Sequence, residues 1–246
     1  MPVEQITIPT RDGACPASVY SPDADHGPWP AAIVYMDGFG IRPVLHSMAR
    51  RLADAGLVVL LPDLYYRLGG YDEIDPRQVF ATGEVRATLA PLMKSTDNAR
   101  AAQDTEAFLA YLDSREDTTP KVGVAGYCMG GGMALTAAGT YPDRVSAAAS
   151  FHGGSLAGDS ELSPHLLAPQ MRARVHIGAA DSDSSYPPEM AARLVKALME
   201  AGVDHRHELY RGTSHGWTIA DLPVHDAAAA ERHWTALLDL FRTSLR

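Results

Sequence analysis

With 246 residues, 46% of them hydrophobic and 21% charged, the chain is long enough to bury a substantial core. Its net charge of −9 disfavours nucleic acid or an anionic membrane surface as a partner, because either would call for a basic face. The opening Met1-Pro2-Val3-Glu4-Gln5 lacks the basic-then-apolar pattern of a secretory signal, and no apolar run is long enough to span a bilayer. The expectation is a cytoplasmic protein, monomeric or a small homo-oligomer, that acts on a small molecule. The two cysteines, Cys15 and Cys128, form neither a disulfide framework nor a metal-ligand spacing.

Short apolar runs, often β-branched, alternate with amphipathic segments, which predicts a mainly parallel sheet with helices on both faces. Strands are predicted at 5–8, 17–21, 31–36, 57–61, 122–125, 147–151, 174–177 and 205–210. The first two should form an antiparallel hairpin around Arg11-Asp12-Gly13. Helices are predicted at 43–55, 97–113, 129–140, 188–201 and 226–242. In the last of these Trp234, Leu237, Leu238 and Phe241 fall at helical spacing and give one apolar stripe. Residues 67–95 fit neither a strand nor one clean helix, and are expected to form a cap-like insertion over the binding crevice. No linker or low-complexity tract divides the chain, so 1–246 is read as a single domain.

The most informative segment is Gly126-Tyr127-Cys128-Met129-Gly130-Gly131, between the apolar run Val122-Gly123-Val124-Ala125 and the small-residue run that starts at Gly132. It has the shape of strand, sharp turn and helix, with a cysteine at the apex and glycines that allow tight backbone and close helix packing. Such a cysteine must ionise to attack, so it needs a base, and the base needs a carboxylate to orient it. Candidates follow in chain order. Asp181 lies in Gly178-Ala179-Ala180-Asp181-Ser182-Asp183, just past a predicted strand, with Asp183 as the alternative acid. His215 lies in Gly212-Thr213-Ser214-His215-Gly216-Trp217, between the last strand and the last helix. An oxyanion would be held by backbone N–H groups, one from Met129 and one from the loop Met36-Asp37-Gly38-Phe39-Gly40, where Gly38 is the best candidate. Asp37 is a carboxylate at a strand end beside the elbow, with a turn or N-cap role as the plainer alternative. His152, in Phe151-His152-Gly153-Gly154, imitates a lipase oxyanion motif but comes after the elbow. It is expected beside the pocket at most, and more simply as a locally bonded turn residue.

Together with Leu61-Pro62-Asp63-Leu64-Tyr65, these motifs resemble the dienelactone hydrolase family of the α/β-hydrolase superfamily along nearly the whole chain. The resemblance implies the α/β-hydrolase fold and a Cys-Asp-His triad of Cys128, Asp181 and His215. It implies hydrolysis of a lactone or ester through an acyl-cysteine, with no metal or organic cofactor. In the family a glutamate at the position of Asp37 helps to activate the thiol, so the shorter Asp37 departs from the pattern. The family also holds a substrate carboxylate with arginines, one of them four residues after the histidine, where this chain has Ile219. Arg67, Arg77 or Arg86 could compensate. Otherwise Phe39, Tyr65, Tyr66 and Trp217, with His152, suggest a more apolar pocket. Two other readings compete: a serine-type hydrolase that bypasses Cys128, and a non-catalytic ligand-binding or redox-sensing protein on the same scaffold.

Overall fold

The computed structural model describes residues 3–23 and 27–245; Met1, Pro2 and Arg246, the ends of the expected domain, lie outside them. Eight strands form one mixed sheet in the order β1-β2-β4-β3-β5-β6-β7-β8. They are β1 (Val3–Thr10), β2 (Gly13–Tyr20), β3 (Trp29–Tyr35), β4 (Val58–Pro62), β5 (Thr118–Tyr127), β6 (Val145–Phe151), β7 (Arg174–Ser182) and β8 (His205–Ser214). The β1–β2 hairpin closes with Thr10 opposite Gly13 around Arg11 and Asp12, and β2 runs antiparallel to β4. All remaining pairs are parallel. The mainly parallel sheet agrees with the alternating pattern, every predicted strand is present, and the whole is the α/β-hydrolase fold that the family resemblance implies.

Seven helices cover the sheet among the described residues: α1 (Pro43–Asp54), α2 (Pro76–Thr82), α3 (Val85–Met93), α4 (Asn98–Asp113), α5 (Met129–Thr140), α6 (Pro188–Glu200) and α7 (Ala227–Ser244). Helix α7 buries Trp234, Leu237, Leu240 and Phe241, while Leu238 lies at the edge of that stripe. Several starts are fixed by aspartates whose side chains accept an orphan backbone N–H: Asp97 from Arg100 at α4 and Asp226 from Ala229 at α7. Helix α5 has no such cap and is buried along nearly its whole length, as its Gly/Ala/Met composition allows. The predicted irregular stretch resolves into a short 3₁₀ turn followed by α2 and α3. Its internal Gly69, Gly70 and Gly83, all at positive φ, break it into pieces too short for a clean periodic signal.

Strand order reverses between β3 and β5, which are parallel neighbours with Tyr35 opposite Gly126. A crevice opens where the loops at the carboxyl ends of two such strands diverge. Here those loops are residues 36–40 and the Cys128 turn. The sheet thereby brings together two segments almost ninety positions apart in the chain.

Candidate active site

Cys128 caps α5 with φ 54° and ψ −115°, outside the regions an L-residue favours. The strain sits on the cysteine itself and not on its glycine neighbours, none of which has positive φ. Those glycines serve close approach. A Cβ on Gly126 would overlap the Gly130 carbonyl, and one on Gly130 would overlap the Tyr35 carbonyl on β3. The helix therefore presses onto the sheet, and the half-buried thiol projects from the apex of the turn.

His215 lines the same crevice as Cys128, and the sulfur bears on the charge of its imidazole. Its Nδ1 lies 2.7 Å from Oδ2 of Asp183, which leaves Nε2 for the sulfur. Asp183 is almost completely buried, and its Oδ1 accepts from the backbone N–H and the hydroxyl of Ser185 at 2.9 and 2.6 Å. Burial alone would raise the carboxyl pKa, but His215 and Ser185 hold it below the ordinary value. Burial likewise opposes charge on His215. The Cys128 sulfur and the Asp183 carboxylate outweigh it and lift the imidazole to about 10.

Asp181 does not reach His215. Its carboxylate is exposed and accepts the Gly212 N–H at 3.0 Å, tying β7 to β8. The cause is the length of β7, which continues to Ser182 instead of ending at Ile177. The first carboxylate past the strand is therefore Asp183.

Asp37 is also placed differently from expectation. Its carboxylate makes a bidentate pair with Arg42, at 2.7 and 2.9 Å, and Oδ1 accepts the Phe39 N–H at 3.0 Å. Arg42 donates further to the Gly40 carbonyl at 3.1 Å and to both oxygens of Asp221 at 2.8 and 3.1 Å. All five guanidinium N–H groups are thus used inside the protein. Burial would lower the pKa of Arg42, but the two carboxylates raise it above the usual arginine range. The cluster joins the 37–40 loop to the segment that follows His215.

In the 37–40 loop the Phe39 N–H is turned to Asp37, and the Gly40 N–H bonds the Asp37 carbonyl. The Gly38 carbonyl accepts from the Tyr65 hydroxyl at 2.8 Å, and that hydroxyl also lies 3.8 Å from the Met129 sulfur. Gly38 is beside Leu89 and Met93, and Met93 lines the crevice. Met129 is the first residue of α5, where helix geometry leaves the N–H without an intrahelical acceptor. Gly38 and Met129, on opposite sides of the switch point, thus share the Tyr65 hydroxyl as a neighbour.

His152 is fully buried at φ 40°, and its imidazole is not locally bonded. Nδ1 accepts the Cys128 N–H at 3.1 Å, which fixes the other nitrogen as the donor to the Thr218 hydroxyl at 2.7 Å. Burial, reinforced by His215 and His233, keeps this ring neutral. It packs edge-on against His215 and Trp217.

A crevice of about 750 Å³ opens over Cys128, Met129, Asp183 and His215. Its walls combine Met93, Met133 and Leu162 with serines and with Asp97 and Asn98. None of Phe39, Tyr65, Arg67, Arg77, Arg86, His152 and Trp217 lines it. Phe39 stacks on Phe80, Tyr65 supports Gly38, and Trp217 is buried beneath His152. Arg67 is committed to Asp12 and Asp104, Arg77 lies in a separate depression with Phe80 and Leu222, and Arg86 is exposed. The insertion reaches the crevice only at its end, through Met93. Among the described residues no group of three His, Cys, Asp or Glu side chains is placed to hold a metal ion.

The family model for the dienelactone hydrolase family matches residues 15–245. The chain belongs to the dienelactone hydrolase family. Over 241 residues it is 26% identical to a Yersinia pestis protein named "Putative carboxymethylenebutenolidase", covering 96% of this chain and 86% of that one. A carboxymethylenebutenolidase of Pseudomonas putida is 29% identical over 182 residues, covering 74% and 72% of the two chains. The crystal structure titled "Putative Dienelactone Hydrolase" from Klebsiella pneumoniae superposes with a TM-score of 0.84 at 22% identity, over 98% of each chain, and shares the fold. Membership makes this chain a dienelactone hydrolase-like hydrolase. No helix among the described residues is long and apolar enough to cross a membrane.

Proposed function

We propose that this protein is a cysteine-dependent hydrolase of carboxylic esters or lactones, with Cys128 as nucleophile, His215 as proton carrier and Asp183 as the orienting acid, on one catalytic domain. The observation that carries the reading is that Cys128, His215 and a buried Asp183 line one crevice, with His215 Nδ1 held by the Asp183 carboxylate at 2.7 Å. The thiolate adds to the substrate carbonyl, and the N–H groups of Met129 and Gly38 receive the oxyanion. Collapse breaks the C–O bond, and the His215 imidazolium gives its proton to the departing oxygen. In a lactone that oxygen stays tethered to the acyl group. A water then attacks the thioester while His215 takes its proton, releasing the carboxylic acid and restoring the thiolate. Asp37 has no part in proton transfer, because both its oxygens are held by Arg42.

Hydrolysis of a p-nitrophenyl ester series by wild type and Cys128→Ala, each with and without iodoacetamide, tests this. The expected outcome is a loss of about 10³-fold or more in kcat, in the variant and after alkylation alike. Turnover that persists in both would remove Cys128 from the mechanism and favour the serine-type hydrolase that bypasses it, and no turnover by wild type would favour the ligand-binding or redox-sensing reading.

A further inference from the structure

We propose that the crevice accepts an uncharged acyl group and discriminates against substrates that carry a free carboxylate. The inference rests on the cysteine-hydrolase reading and adds the class of substrate. A carboxylate entering a crevice must exchange its hydration for hydrogen bonds from a cation or from several directed donors. The described residues that line this crevice include no lysine and no arginine. The guanidinium beside the oxyanion loop, Arg42, is buried and spends every donor on Asp37, Asp221 and Gly40. No reserve of positive charge exists there unless that cluster is dismantled.

The charge that does face the crevice is negative. Asp97, the N-cap of α4, lies on its wall, partly exposed and partly balanced by Arg100 at 3.5 Å. Arg100 in turn donates to the Lys94 carbonyl. Among the described residues that line the crevice His215 is the one basic side chain, and its Nδ1 is engaged by Asp183. The same walls carry the thioethers of Met93 and Met133 and the side chain of Leu162, which offer polarisable apolar contact to a hydrocarbon chain. Serine hydroxyls such as Ser155, Ser160 and Ser184 can donate to or accept from a neutral oxygen.

A matched pair of esters tests the inference: mono-p-nitrophenyl adipate, which carries a carboxylate, and p-nitrophenyl methyl adipate, in which it is masked. In low-salt buffer at pH 7.5, about 10-fold higher kcat/KM is expected for the masked ester, and added salt should narrow the gap because partly exposed charges are screened. Asp97→Asn, which keeps an N-cap side chain, should narrow the ratio by about two- to fivefold. A steric preference would respond to neither change. Equal or faster Cys128-dependent turnover of the free carboxylate overturns the substrate class and leaves the cysteine hydrolase standing. Release from neither ester above the Cys128→Ala background overturns both.

Discussion

Two carboxylates flank the Cys128 elbow, Asp183 after β7 and Asp37 after β3, and their side chains are only 2% and 3% exposed. They differ in partner. Asp183 faces a half-buried imidazole that can gain and lose a proton and that lines the crevice with Cys128. Asp37 faces a buried guanidinium that cannot lose one. In the proposed mechanism the first pair handles a proton, whereas the second is a fixed tie between two loops, so burial of an acid near the elbow does not by itself assign its role. That contrast predicts opposite phenotypes.

The largest effect is expected at Asp183. Asp183→Asn keeps the shape but offers an amide where the imidazole N–H needs an acceptor, and the preferred tautomer of His215 changes. A fall in kcat of about 10³- to 10⁴-fold is expected, with KM nearly unchanged. Steady-state kinetics on p-nitrophenyl butyrate would check it, and a loss under tenfold would remove Asp183 from the triad.

Asp37 and Arg42 should report in stability before activity. Arg42→Met strands the Asp37 carboxylate in the interior, which costs about 3–5 kcal/mol by urea unfolding. Adding Asp37→Leu to Arg42→Met should recover part of that loss, because the uncompensated charge goes with it. The kcat of folded Arg42→Met should drop by no more than about tenfold through displacement of the Gly38 loop. A catalytic loss comparable to that of Asp183→Asn would show that the two carboxylates are not so different after all.

The separate roles of these acids were only partly legible in the residue order. The elbow was legible because glycines at 126, 130 and 131 are dictated by backbone contact, and the helix predicted at 129–140 has those bounds in the fold. His215 was legible from its place between the last strand and the last helix. The acid was not, since β7 keeps pairing with β8 through Ser182↔Ser214 after a register shift that no local pattern announces. Nor was the Arg42–Asp221 bridge, which spans 179 positions. Arg67 looked available because its acidic partners are also distant: it meets Asp12 and Asp104 across 55 and 37 positions. Long-range ion pairing is decided by the sheet order, and composition does not encode it.

The titration of His215 sharpens the comparison in a smaller way. Its pKa, raised to about 10 by the sulfur and Asp183, means the imidazolium persists through neutral pH and is lost as pH rises through about 10. An alkyl ester or lactone, whose leaving oxygen needs that proton, should therefore be cleaved more slowly above about pH 10. A p-nitrophenyl ester, whose leaving group needs none, should be spared. In Asp183→Asn or Cys128→Ala the ring loses a raising partner, and its NMR titration midpoint should move down toward the ordinary histidine value of about 6.5. Arg42 carries its proton throughout, so Arg42→Met should leave that midpoint in place.

The smallest effect is expected at Asp181, the acid that chain order alone would choose. Asp181→Asn retains a side-chain oxygen for the Gly212 N–H, and the residue is exposed at the β7–β8 edge. Loss of charge on that hydrogen bond should cost about 1 kcal/mol or less in stability. It should change kcat by less than about threefold, since the carboxylate neither touches His215 nor lines the crevice. Measured beside Asp183→Asn under the same conditions, Asp181→Asn gives the ratio that decides between two aspartates only two positions apart. Near-equal losses in the two variants would mean that the β7 end rearranges in the working enzyme, bringing Asp181 to the imidazole.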